Sequence, residues 1–288
     1  MGEFLGFVTA QTVGGNAQDL TELSNRWRVA NDHIRELERR EAGFADAPPL
    51  LPLPPELELL RTQVLADPIY RRSFQVVPSE IAMIELDRLV VFQKYVNLEY
   101  VTRLKASLGE RPSLEVVFRL CLPFDHPQPP VRGMQVAQNS FMFVSPSNDL
   151  RLLEVTSLSG AQVSGYAPQG PVSGIVALVI GFGSNFLNAI HAEGRLVLNN
   201  GSHRAFALRD LGVTHVPCIV QRVTRREELE VVASGDLSAK PDYYLRDPRP
   251  PILKDYFDPA LRSVLRVQRK HRQVKVIFGV ESIEVPAA

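Results

Sequence analysis

The stretch Arg195-Leu-Val-Leu-Asn-Asn-Gly-Ser-His-Arg-Ala-Phe-Ala-Leu-Arg-Asp-Leu-Gly-Val-Thr-His-Val-Pro-Cys-Ile-Val220 decides how the chain is read. Arg195–Leu198 suits a short strand, and Asn199-Asn-Gly-Ser202 is turn chemistry. The residues that follow form an amphipathic helix, with Phe206, Leu208 and Leu211 facing a sheet and Ala205 and Ala207 allowing close approach. Gly212 ends that helix, and Val216–Val220 returns as a strand. A glycine turn feeding directly into a helix leaves backbone N–H groups unpaired at the positive end of the helix dipole. Arg204 brings a guanidinium fork to that place, and Asn200, Gly201, Ser202 and His203 surround it with small or polar groups. Such a set is suited to an anion, most naturally a phosphate. Each residue also has a plainer use. Arg204 can pair with Asp210 or Glu193, Ser202 can cap the helix, and His203 can cap or fill space rather than act as a general base.

These positions resemble the ParB/sulfiredoxin superfamily, whose mark is a strand, a Gly-x-x-Arg or Gly-x-His-Arg turn, a helix, Leu-Gly, and a strand beginning at Val-Pro. Here they are Gly201-Ser-His-Arg204, Leu211-Gly212 and Val216-Pro217. Ile84 to Leu104 is similar to the family's preceding strand, polar turn and helix, and the two blocks cover about 50 residues of 288. The resemblance implies a small mixed sheet that binds nucleotide phosphates, with ATP or CTP and Mg²⁺ as the ligands that members use. It also implies departures. The sulfinic-acid reductases carry Cys where Ser202 stands. The serine kinases carry a Glu where this chain places Gln93, whose amide cannot take a proton at neutral pH. The partition proteins continue into a helix-turn-helix, and no such pattern follows residue 220. The fold expected is therefore α+β: a ParB/sulfiredoxin-like mixed-sheet core over 56–222 with a β-rich insertion near 113–182. An N-terminal helical segment (1–47), a Pro-rich linker (48–55) and a C-terminal helical extension (223–288) flank it.

Outward from the core, residues 18–42 form the clearest helix. Leu20, Leu23, Trp27, Ala30, Ile34 and Leu37 keep a heptad seam, Asp19 can cap the start and Gly43 can end it. The seam is covered either by the chain's own body or by a partner helix or second copy. Five prolines between 48 and 55 read as a stiff spacer. Residues 56–66 and Leu98–Leu108 read as helices. Gln75–Pro78, Met83–Val91, Val116–Leu122, Ser140–Val144, Leu150–Thr156, Ile175–Gly181 and Val274–Val280 read as strands. Gly181–Asn185 suits a turn between a strand and a helix, and is a second, weaker place for an anion. Thr224 and Glu227 resemble a capping box, and Pro259 is expected to open a helix toward Lys270.

The 32 basic and 32 acidic side chains cancel, which excludes a wholly cationic nucleic-acid surface. The balance is local. The first 58 residues hold five Arg and ten Asp or Glu; 113–203 holds four Arg, five acids and no Lys; and 262–275 holds six Arg or Lys and no acid. That basic segment suits a solvated face, a nucleic-acid backbone, or pairing with the acidic N-terminal region. Cys121 and Cys218 lie in apolar runs without metal-ligand spacing, which reads as two buried reduced thiols in a reducing compartment. The first residues lack a basic signal region, and Gly6 replaces the hydroxyl residue that N-myristoylation needs. The longest apolar run, Gly174–Gly183, is about half a membrane span, so the expectation is a cytoplasmic protein with no membrane contact. The function expected is binding of a nucleotide or other phosphate-bearing ligand, with phosphoryl transfer or a nucleotide-gated switch as its chemistry. The rival is a non-catalytic assembly protein working through the helical seam, and a third is DNA binding through 262–275.

Overall fold

The computed structural model describes residues 1–13, 19–165, 167, 169–233, 235–268 and 270–286. Gln18 and Arg269, at the margins of two expected elements, lie outside the described residues. In chain order the elements are α1 (Gly2–Gln11), α2 (Leu20–Glu41), β1 (Leu50–Leu51), α3 (Glu58–Ala66), α4 (Pro68–Ser73), β2 (Ser79–Glu85), β3 (Val90–Val91), α5 (Leu98–Leu108) and α6 (Leu114–Cys121). Then come β4 (Arg132–Ala137), β5 (Ser140–Ser145), β6 (Arg151–Leu158), β7 (Ile175–Gly181), β8 (Asn188–Ala192), β9 (Arg195–Asn200), α7 (Ser202–Asp210) and β10 (His215–Arg222). Last are α8 (Arg226–Val232), α9 (Gly235–Ala239), α10 (Pro241–Leu245) and β11 (Arg272–Ile277). The protein is α+β. The chain divides into two units, Met1–His126 with Ser184–Gln268, and Pro127–Gly183 with Arg269–Ala288.

The first unit is built on a mixed six-stranded sheet in the order β1-β2-β10-β8-β9-β3. β2 and β10 run antiparallel over seven residue pairs, from Gln221 opposite Ser79 to His215 opposite Glu85, while β10 and β8 run parallel. β8 and β9 form a tight hairpin whose two turn residues, Glu193 and Gly194, both have positive φ, the geometry that matches strand twist. Strand alternation then splits the apolar side chains between two faces. Ala189, Leu196 and Leu198 join the larger core with Phe118, Phe186 and Leu208, whereas Ile190, Val197 and Val90 join a second core with Leu229, Leu237 and Tyr244. Covering both faces is why these strands are almost continuously apolar.

Local caps set the helix starts. Asp19 accepts from the Thr21 and Glu22 amides at α2, Asp67 from Ile69 at α4, Asn97 from Tyr100 at α5 and Ser113 from Val116 at α6. Along the seam on α2, Leu23 and Leu37 are buried, Trp27, Ala30 and Ile34 half-buried and Leu20 exposed. Arg26 donates to Ser263, and His33 meets Asp258 at 2.8 Å.

Several expectations change. Val116–Leu122 is the body of α6, because Ser113 caps it and Val117, Phe118 and Cys121 fall on one helical face. Residues 113–126 thus belong to the first unit, and the β-rich segment starts at Pro127. The Pro-rich stretch is no free spacer: Leu50 and Leu51 pair with Ile84 and Met83 at the sheet edge, where flanking prolines interrupt no central ladder. Gln75–Pro78 is irregular and the strand begins at Ser79. Gly181–Asn185 leads to β8, not to a helix. At α8 the capping acid is Glu228, which accepts from both the amide and the hydroxyl of Thr224. Residues 259–266 carry no regular helix; Val267 bridges to Thr12, and β11 follows. The acidic N-terminal residues pair elsewhere than the 262–275 segment: Glu3 with Lys94, Glu41 with Arg249 and Lys254, and Asp46 with Arg195.

The second unit contains a three-stranded antiparallel sheet, β11-β5-β4, and a two-stranded ribbon, β6-β7. Ser145 holds the start of this unit by donating to the Pro130 carbonyl, and Asp149 accepts from the Gly183 amide.

Candidate functional site

The turn after β9 forms as the sequence predicts. Gly201 is the N-cap of α7 with φ +103, and a Cβ there would lie 2.9 Å from Leu187 Cγ, so both conformation and space require glycine. Asn200 donates to the carbonyls of Ser184 and Phe186, which ties the turn to the chain arriving at β8. Ser202 is buried and His203 half-buried.

Arg204 departs from the expected fork. It is 6 % exposed, and its Nη1 donates to three carbonyls: Leu120 at 3.1 Å, Cys121 at 3.1 Å and Asn185 at 2.6 Å. Two of those carbonyls end α6, where helix carbonyls lack intrahelical donors and the dipole favours a cation. The guanidinium therefore clamps α6 to the Asn185 segment, and neither Asp210 nor Glu193 pairs with it: Asp210 bonds Lys105, and Glu193 holds Arg226 and Arg246. Burial beside this clamp pushes the Cys121 thiol up to about 12 and the Cys218 thiol upward as well, so both stay protonated.

His203 points the other way. Its Nε2 accepts the Asn97 amide over 3.0 Å, and its ring meets Tyr100 edge-on with centroids 5.3 Å apart. Because a backbone N–H can only donate, Nε2 is unprotonated and the ring's proton sits on Nδ1. Burial, reinforced by Arg204, holds this imidazole below its ordinary value and hence neutral at physiological pH. The bond couples the starts of α5 and α7, so two positive dipole ends lie together. Sequence reasoning did not single out Asn97, whose partner His203 lies 106 residues away.

Gln93 precedes α5 on the same loop. Its Nε2 donates to the Tyr95 carbonyl at 3.0 Å, and its own carbonyl accepts from the Tyr256 hydroxyl. Lys94 bridges Glu3 and Asp236, each at 2.8 Å. The second turn offers nothing comparable, since the Gly183 amide already has the Asp149 carboxylate. Among the described residues no three His, Cys, Asp or Glu side chains converge to hold a metal, and no helix is long and apolar enough to cross a membrane.

No protein-family model, no curated protein and no solved structure matches this chain.

Proposed function

We propose that this protein binds a phosphate-bearing small molecule, in the first instance a nucleotide, where the N-termini of α5 and α7 meet. The observation that carries the reading is the Asn97–His203 bond, which holds the two helix starts together and leaves His203 Nδ1–H as a donor beside them. The Gly201 turn, α7, Leu211-Gly212 and β10 follow one another in the order that the resemblance to ParB/sulfiredoxin proteins calls for, and this supports a nucleotide over other anions. ATP and CTP are the ligands to try first.

Binding is better supported than turnover. Gln93 has an amide where a kinase needs a base, and His203 already uses Nε2 as an acceptor. The Arg204 guanidinium serves the site indirectly, by fixing the position of the α7 first turn.

Thermal unfolding with ATP, CTP and GTP, each with and without Mg²⁺, and with inorganic phosphate tests this. A ligand at 100 times its Kd stabilises by about 2.7 kcal/mol, a shift of several degrees. His203→Ala is expected to reduce the shift at the same ligand concentration. No shift with any nucleotide at millimolar concentration, or an undiminished shift in the variant, overturns the proposal. Arg204→Ala is unsuitable here because it weakens the unliganded fold.

A further inference from the structure

The second unit keeps its charges apart. From Pro127 to Gly183 and from Arg269 to Ala288 the sequence holds six Arg or Lys and four acids. None of the acids is on the β11-β5-β4 sheet: Asp149 is held by Arg151 and the Gly183 amide, Glu154 lies on β6, and Glu281 and Glu284 follow β11. Residues 127–148 and 259–280 contain no Asp or Glu. Arg132, Arg272 and Lys275 thus put three exposed cations on the sheet, and among the described residues none of the three has an acidic partner. Strand alternation places the aromatic side chains. β11 is an outer strand, paired with β5 from Arg272 opposite Ser145 to Ile277 opposite Ser140. Val274 lies opposite Phe143 and Val276 opposite Phe141, and Phe278 continues that face with its ring 6.4 Å from Phe141 and inclined to it by 20°. On β4, Gly133 lies opposite Phe143, where a Cβ would come within 3.1 Å of the ring, so glycine makes room for it. Phe141 and Phe143 are half-buried and Phe278 is 39 % exposed. Arg272 belongs to the same face, and its Nε donates to the Leu150 carbonyl; Lys275 projects from the same outer strand toward the other side.

We propose that this face binds a single-stranded polynucleotide, with bases stacked on Phe141, Phe143 and Phe278 and phosphates along the β11 edge on Arg272 and Lys275. The choice uses both halves of the pattern. Cations without neighbouring acids select a polyanion. Phenyl rings on the same sheet select one whose bases are free to stack, because stacking accepts any base whereas a duplex keeps its base faces covered. An acidic peptide would answer the charge and leave the rings without a flat partner. The surface lies within the second unit, and the proposal does not rest on the nucleotide reading of the α5 and α7 starts.

Fluorescence anisotropy of a labelled oligothymidylate of about 12 nucleotides with the full chain tests this. Saturable binding is expected at low salt, weakening on a log–log plot against salt concentration with a slope of about −1.5 to −2, as two or three phosphate contacts require. Phe141→Leu and Phe278→Leu, which keep an apolar side chain, are each expected to weaken binding at least about fivefold at an unchanged slope. Lys275→Gln is expected to weaken it and to flatten the slope by about 0.7. Arg35→Gln, on α2, is expected to change nothing. Two readouts need no variant. A duplex of the same length is expected to bind more weakly, and ultraviolet cross-linking of the wild-type complex is expected to join the oligonucleotide to peptides carrying Phe141, Phe143 or Phe278. Absence of binding at low salt overturns the proposal. So do equal or tighter binding of the duplex, displacement of the oligonucleotide by polyglutamate at equal charge concentration, undiminished binding by both Phe variants, and cross-links confined to the first unit.

Discussion

Arg204 shows what a single side chain does when it is drawn inward. Its guanidinium supplies a donor to the Leu120 and Asn185 carbonyls and a second donor to the Cys121 carbonyl, which also takes the Leu187 amide. Removing it takes the donor from the Leu120 and Asn185 carbonyls, so Arg204→Ala is expected to destabilise the protein by about 2–3 kcal/mol, read as a lowered urea midpoint. The residue type was legible in the sequence and its direction was not. Its partners are backbone carbonyls 19 to 84 residues away, and a carbonyl leaves no mark on side-chain identity. His203 carries a second expectation at this scale. Its folded-state affinity for a proton is held below the ordinary value of 6.5, mainly by burial, so the unfolded chain protonates first as pH falls. The stability linked to this group is complete above about pH 6.5 and declines as the pH falls through that value toward the folded one. His191 is lowered by burial too and adds to the same slope. His203→Gln is expected to flatten, without abolishing, the loss of urea stability between about pH 7 and 5.

For elements, the two ends of α7 make a controlled comparison. Gly201 and Gly212 both have positive φ, but a Cβ at Gly201 would strike Leu187, whereas at Gly212 nothing lies within 4 Å. Gly212→Ala is expected to cost about 1 kcal/mol for conformation alone. Gly201→Ala adds a steric conflict and is expected to cost about 2–3 kcal/mol; equal losses in chemical denaturation would show that Leu187 yields freely. Apolar spacing made α5 readable, and the Gly201 and Gly212 turns made α7 and β10 so. α6 was misread because Val-Val-Phe favours strands locally, while the spacing of Val117, Phe118 and Cys121 serves a helix. β8, Asn-Ala-Ile-His-Ala, escaped notice because it has almost no strand-favouring residues and owes its form to neighbours on both sides.

Across the whole molecule, the division into units makes the segment 127–183 an insertion between α6 and β8. Its flanks are already joined, since the Leu187 amide donates to the Cys121 carbonyl over 2.7 Å. A chain ending at Gln268, with a short Gly/Ser bridge in place of 127–183, is therefore expected to unfold cooperatively within a few degrees of the parent Tm, which scanning calorimetry checks. Zero net charge proved a poor guide at this scale, because the acids of the N-terminal region find bases scattered through the first unit.

The carbonyl clamp also bears on time. Bringing Cys121 to Leu187 closes a loop of 65 intervening residues, which at (3/2)RT ln n opposes folding by about 4 kcal/mol before any contact repays it. Arg204 joins Asn185 to the end of α6 across that closure, so its bonds are expected to form late in folding, which the folding and unfolding arms of a chevron plot for Arg204→Ala would check. Late contacts leave the folding rate almost untouched and instead lengthen the life of the folded state. On that expectation Arg204 works as a kinetic latch, and Arg204→Ala is expected to fold about as fast as the parent and to unfold faster.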